Sequence, residues 1–171
     1  MGDLEIRQIR EADVEGFHMA RSAVALGRRY RATVEPPPLE QSTALAMMSI
    51  ERGSPFIVAL ADERIVGYCD VSPIPRKAAP HVGELGIAIV PDWRGKGIGR
   101  SLMMAALEGG WRHGFSRIQL SVYANNVRAL ALYRKMGFVQ EGVMRRSVQI
   151  DGVYFDEIMM AQLATEDASP T

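Results

Sequence analysis

Apolar residues along this chain keep two rhythms, one of period two and one of three to four, and the switches between them mark the elements. Leu4 and Ile6, with Ile9 less regularly, suggest a short first strand. Glu11-Ala12-Asp13 then opens a helix with acidic residues at its positive end, and Val14, Phe17, Ala20 and Val24 recur at helical spacing. Pro36-Pro37-Pro38 is held extended, so it ends that region and leads into a second helix near 39–52. The two helices and the loop between them form either a movable substrate wall or a packed connector. Phe56 to Ala61 is a continuous apolar run and Ile65 to Val71 another, which predicts a hairpin in the middle of a sheet with Asp62-Glu63-Arg64 as its turn.

Pro73, Pro75 and Pro80 break the pattern, so 73–81 is a loop beside the next strand, 82–90. Ile98, Leu102, Ala105, Ala106 and Trp111 stripe the helix that follows. Ile118, Leu120 and Val122 alternate with Arg117, Gln119 and Ser121, a strand with one wet face. Residues 127–136 predict another helix, stopped by Gly137. Last comes a long hairpin, 138–150 and 153–163, around the two-residue turn signal Asp151-Gly152. Strands interrupted by helices and closed by an antiparallel hairpin predict a mixed α/β sheet. No repeat, low-complexity tract or linker divides the chain, so one domain is expected over 1–164, with 165–171 as a flexible tail.

Composition narrows the partners. The chain has 171 residues, 47% hydrophobic, enough for one domain with a real core. Twenty basic and twenty acidic residues cancel, so no overall field draws it to nucleic acid or to a membrane surface. Local clusters at Arg28-Arg29-Tyr30-Arg31 and Arg145-Arg146 suit solvated faces or contact with an anion. Cys69, the single cysteine, excludes an internal disulfide framework and, in a strand pattern, reads as a buried inert thiol. No export signal or apolar run of membrane-spanning length is present, and a cytoplasmic protein is expected. Three histidines and one cysteine show no ligand spacing, so no metal is expected.

The chemistry starts at Arg94-Gly95-Lys96-Gly97-Ile98-Gly99, between the 82–90 strand and a helix. Alternating glycines let backbone N–H groups approach an anion, and the helix adds the positive end of its dipole. A Walker loop is excluded, because Val90 stands where its first Gly belongs and Gly97 where its Ser/Thr belongs. A dinucleotide fingerprint fails as well, since Gly95-x-Gly97 runs into Arg100 instead of a third Gly. What remains is Arg94-x-x-Gly97-x-Gly99, preceded by Glu84-Leu85-Gly86-Ile87-Ala88-Ile89-Val90-Pro91. A second block follows in order: Asn126, then Ala129-Leu130-Ala131-Leu132-Tyr133, then Met136-Gly137-Phe138.

Together these blocks resemble the acyl-CoA-binding motifs of the GNAT superfamily of N-acetyltransferases, and the likeness spans most of the chain. It implies a single-domain, mostly antiparallel central sheet flanked by helices, with acetyl-CoA as cosubstrate. The cofactor grip would be Arg94, Gly95, Lys96, Gly97, Ile98, Gly99 and Arg100, the turn's N–H groups cradling the pyrophosphate and the three cations adding charge to it or to the ribose phosphate. Ile87, Ala88 and Ile89 would meet the pantetheine arm through main-chain hydrogen bonds, one N–H turned to the thioester oxygen. Asn126 would cap its helix and bond the same arm.

An amine with a pKa near 10.4 is protonated at neutral pH, so a base must take its proton, directly or through water. Glu84 is the only acidic residue of the cofactor strand and matches a Glu found there in several branches of the superfamily. His81 is a further base candidate, though a loop histidine beside Pro80 also reads as solvated. Tyr133 matches the tyrosine that protonates the departing thiolate. In the peptide-acetylating branch a Glu on the following strand is the base; Ser121 stands at that place here.

The expected function is therefore acetyl transfer from acetyl-CoA to a primary amine by direct attack in a ternary complex. A small molecule is the expected acceptor: a polyamine, an amino acid or an antibiotic-like amine. Acetylation of a protein N-terminus or lysine, and a non-catalytic acyl-CoA-binding regulator, are the alternatives. The acceptor pocket is expected from the loops around 28–38, 73–81 and 145–156. The terminal hairpin, with apolar residues such as Ile158 and Met160, is expected to pair two copies into a homodimer.

Overall fold

Seven strands, β1 (Leu4–Gln8), β2 (Phe56–Ala61), β3 (Arg64–Pro73), β4 (Val82–Ile89), β5 (Arg117–Tyr123), β6 (Val139–Ile150) and β7 (Val153–Leu163), build one sheet in the order β1-β2-β3-β4-β5-β7-β6. The helices are α1 (Val14–Leu26), α2 (Leu39–Arg52), α3 (Ile98–His113) and α4 (Val127–Lys135). The computed structural model describes residues 4–26 and 35–165. Neighbouring strands run antiparallel except β4 and β5, which are parallel. The fold is the expected mixed, mostly antiparallel sheet between helices. The β2–β3 hairpin lies one place off the centre, which β4 holds.

β2 is apolar at every position because both of its faces are covered. Ile57, Ala59 and Ala61 join the core under α3, while Phe56, Val58 and Leu60 join a second core under α1 and α2. The ring of Phe17 on α1 meets Phe56 edge-on at 4.8 Å and Tyr68 at 4.9 Å, which pins that helix to the sheet. Removing the Phe17 ring would cost about 3–5 kcal/mol. β5 is covered along its length on one side, and on the other only at its end, where Tyr123 is buried. Ile118, Leu120 and Val122 join the α3 core, whereas Gln119 and Ser121 face outward. The wet face read from its alternation is real.

Both tight turns bend as their residues allow. Asp62 and Glu63 alone turn β2 into β3, each with positive φ (48° and 64°), while Arg64 already belongs to β3. Asp151 and Gly152 do the same for the terminal hairpin at 49° and 80°. That hairpin corrects one expectation. Ile158 and Met160 are core residues, 8% and 0% exposed, because β7 lies between β5 and β6 rather than at the edge. The exposed large apolar residues are Val139 and Val143 on β6, Val153 and Tyr154 near the tip, and Leu163 at the end of β7.

The first helix begins with a short 3-10 turn, Glu11–Asp13. Asp13 accepts two hydrogen bonds from the Arg7 guanidinium (2.6 and 2.9 Å) and one from the Arg10 N–H (2.7 Å), so α1 is tied to β1. The Arg28-Arg29-Tyr30-Arg31 cluster and the tail from 166 lie outside the described residues. Among the described residues no helix is long and apolar enough to cross a membrane.

Candidate functional site

β4 and β5 pair only over Val82–Glu84 with Arg117–Gln119, and then they part. β4 stays fixed along its other edge, where Ile87, Ala88 and Ile89 lie opposite Cys69, Tyr68 and Gly67 of β3. A cavity of about 460 Å³ occupies the gap, with those three β4 residues on its wall. It is of the size that holds a small-molecule ligand. Val24 of α1 reaches it from one side, and the starts of α3 and α4 close it from the other.

The 94–99 turn forms the end wall through Arg94, Gly95, Gly97, Ile98 and Gly99, joined by Arg100. Gly95 (φ 87°) and Gly97 (φ 82°) adopt the left-handed conformation that a side chain strains. Gly97 is the N-cap of α3, and no atom lies within 4 Å of the Cβ it lacks. The cap of α4, Asn126, also lines the cavity, and its Oδ1 accepts from the Ala129 N–H at 3.2 Å. Two helix N-termini therefore face one space, and an anion placed there meets both positive dipole ends.

The charged side chains divide in a way that spacing alone did not show. Arg94 gives its Nε–H to the Ile89 carbonyl (3.0 Å), tying the turn to the end of β4. Lys96 is not on the cavity wall; its Nζ lies 4.3 Å from the ring centre of Trp93, which is. Arg128, not singled out in the sequence, lines the cavity, and a Cβ on Gly95 would come within 2.8 Å of its Nη2. Its signal was present but unused: it is the second helical residue after the Asn126 cap. Leu132 and Trp93 are further lining residues that sequence reasoning missed.

Tyr133 is buried on α4, 8% exposed, and lines the cavity; its ring centre is 6.1 Å from that of Phe138. Glu84 is exposed and does not line the cavity; it belongs to the last β4–β5 pair, opposite Gln119, just where the gap begins. Ile87 is three positions further on, about 10 Å along a strand. Ser121 is exposed on β5, and its Oγ donates to Glu157 Oε1 of β7 at 3.2 Å. His81 is an exposed loop residue whose carbonyl accepts from the N–H groups of Ser116 and Arg117. Cys69 is fully buried, and desolvation pushes its thiol well above the usual range, so it is an inert core group. Among the described residues no group of His, Cys, Asp and Glu could hold a metal.

A narrow space with glycine N–H groups, two helix starts and arginines at one end, and parted strand edges along its length, suits an extended ligand that carries a diphosphate. The sequence model of the Acetyltransferase (GNAT) family matches residues 21–138. An L-amino acid N-acetyltransferase of Escherichia coli (strain K12) is 27% identical over 157 residues, 91% of this chain and 96% of its own. A phosphinothricin N-acetyltransferase of Alcaligenes faecalis is 32% identical over 130 residues, 73% of this chain and 64% of its own. Among solved structures, a putative acetyltransferase of Salmonella typhimurium determined with its cofactor acetyl-CoA has a TM-score of 0.89 at 19% identity, covering 98% of each chain.

Proposed function

The chain belongs to the GNAT acetyltransferase family, and we propose that it moves the acetyl group of acetyl-CoA to the primary amine of a small molecule, by direct attack within a ternary complex. One observation carries the reading: the glycine turn closes the end of a cavity that runs between parted strands to a buried tyrosine. Acetyl-CoA supplies the acyl group already activated as a thioester. The 94–99 N–H groups, with Arg100 and Arg128, hold the diphosphate and ribose-phosphate end. The free edge of β4 from Ile87 to Ile89 aligns the arm, and an N–H there stabilises the carbonyl oxygen as charge grows on it, worth about 3 kcal/mol.

Glu84, at the start of the gap, takes a proton from the acceptor ammonium, directly or through water. Tyr133 gives its phenolic proton to the departing sulfur. A small acceptor is supported by the two relatives named above, whose names specify L-amino acids and phosphinothricin. It is supported also by Ser121, a neutral residue where the peptide-acetylating branch carries its acid.

Free-thiol release from acetyl-CoA, measured over a panel of phosphinothricin, spermidine, L-amino acids and short peptides, tests this reading. At least one small amine should exceed the peptides tenfold in kcat/KM, about 1.4 kcal/mol of transition-state preference. Peptides ahead by that margin would overturn the small-molecule assignment.

A homodimer is part of the proposal. β6 is the sheet edge, and Val139 and Val143 on it are 67% and 50% exposed, a surface that a second copy would cover. Light scattering that finds only the 18.9 kDa monomer at tens of micromolar would refute it.

A further inference from the structure

The sheet face turned away from α3 is covered unevenly. α1 and α2 close it over β2, β3 and the end of β4, where Phe17, Phe56, Tyr68 and Ala88 share one core cluster. Over β5 and β7 that cover stops: Gln119 and Glu157 are half-buried and Ser121 is exposed, while Tyr123 at the end of β5 is buried beside Phe155. The other face of the gap is walled by α3, α4 and the anion-binding turn, so a second substrate reaches the gap from this open side.

Ser121 holds a particular place on that side. Gln119 makes the last pair with β4, Leu120 turns to the α3 core, and Ser121 is the first residue on the open face beyond the parting. It stands about 7 Å past Gln119 along the strand. The antiparallel register sets Glu157 of β7 opposite Tyr123 on the same face, and the Ser121 hydroxyl donates to its carboxylate at 3.2 Å. A carboxylate is thereby held against β5, the strand that borders the gap, by a residue 36 positions further along the chain. Glu84 flanks the start of the gap on β4. Of the other charged groups near this face, Arg117 pairs with Glu141, Asp156 accepts from the Arg146 N–H at 2.8 Å, the Arg146 guanidinium lies over the Tyr154 ring, and Arg145 follows Met144, the cross-strand partner of Glu157. Asp70 accepts from Ser72 at 2.8 Å.

We propose that Glu157, oriented by the Ser121 hydroxyl, is the docking carboxylate for the acceptor's ammonium group. It receives the cation by a charge-assisted hydrogen bond and so selects protonated primary amines before Glu84 takes the proton. This rests on the acetyltransferase reading and adds a separate residue to it. The carboxylate acts on binding, and the chemistry stays with Glu84 and Tyr133.

The test is a KM-against-kcat split in the full chain, with acetyl-CoA saturating and phosphinothricin, spermidine and L-methionine as probes. Glu157→Gln should raise KM for whichever probe the wild type acetylates by tenfold or more. Its kcat should stay within about threefold and its CoA affinity should be unchanged by calorimetry. Ser121→Ala keeps the charge and loses only the tether, so a rise of two- to fivefold is expected. Glu157→Asp should recover part of the loss, and these two variants carry the test if Glu157→Gln does not fold. An unchanged acceptor KM in Glu157→Gln, beside an active wild type, overturns the role of Glu157 alone. An equal KM rise for Glu157→Gln and Glu157→Asp overturns the charge-docking role and leaves a packing one. A wild type that binds CoA but releases no thiol with any probe overturns the small-amine reading beneath it.

Discussion

On the α3–α4 side of the gap, the atoms offered to a ligand are mostly main-chain N–H groups, gathered from one six-residue turn and two helix starts. On the open side they are carboxylates and hydroxyls carried by β4, β5 and β7, strands whose contributing residues are tens of positions apart in sequence. The first wall suits a ligand part that never changes, because backbone groups present the same donors whatever side chains surround them. The second can be altered one side chain at a time without disturbing the first. On the proposed reading that division separates cofactor grip from acceptor choice, and it can be attacked from either side.

The largest effect should come from Gly97→Asp. The site has room for a Cβ, yet φ there is 82° and the new carboxylate would face the phosphates. CoA affinity, which calorimetry should place near micromolar in the wild type (about −8 kcal/mol), should fall by more than ~100-fold. Backbone strain of about 1–3 kcal/mol should still leave a folded protein. Retained binding would mean that the main-chain wall does not hold the cofactor.

Next in size are the two groups assigned to proton transfer. Glu84→Gln and Tyr133→Phe should each slow single-turnover acetylation by about 10²-fold near neutral pH while CoA affinity stays within tenfold. The Gln variant should recover toward pH 9–10, where free amine is already present, and the Phe variant should not. If both react as the wild type does, neither side of the gap supplies an acid–base group and positioning carries the reaction. A smaller change is expected for Arg128→Ala: CoA affinity should drop about tenfold, roughly 1.4 kcal/mol, more steeply at low salt than at high. No change would remove side-chain charge from the cofactor wall.

A last prediction concerns stability rather than binding, and probes the tie between α1 and β1. The hydrogen bond from Arg7 to Asp13, aided by the Arg10 N–H and opposed by burial, holds the Asp13 carboxyl below its ordinary value. A depressed folded-state value means that the stabilisation is present above the unfolded value, about 3.9, and disappears as pH falls through the folded one. Asp13→Asn should therefore lose about 1–2 kcal/mol in urea unfolding at pH 7. Near pH 2 the two proteins should converge. A difference that persists there would assign the loss to packing.

The same division governs what could be read in the sequence. The 94–99 turn, the cap at Asn126 and the hairpin at Asp151-Gly152 are local patterns, so spacing located them and showed which anion motifs they are not. The alternation of Ile118, Leu120 and Val122 placed the core face of β5 correctly. Nothing local could say that β7 inserts between β5 and β6. For that reason Ile158 and Met160 were expected outside when they are core, and Glu157 was not connected with Ser121. Arg94 shows a finer limit. Its spacing marks it as an anion ligand, but in the fold its Nε–H is already given to the Ile89 carbonyl.

The placement of Lys96 over Trp93 gives the protein a built-in optical reporter. The chain has two tryptophans, and Trp111 lies on α3 against the main core, while Trp93 borders the cavity with an ammonium 4.3 Å above its ring. An indole in contact with a cation emits differently from one without, so a phosphate that draws Lys96 away changes the Trp93 signal. With Trp111 replaced by Phe, the emission comes from one place. The arrival and departure of the nucleotide can then be timed by stopped flow in unlabelled protein, apart from anything that happens to the acceptor.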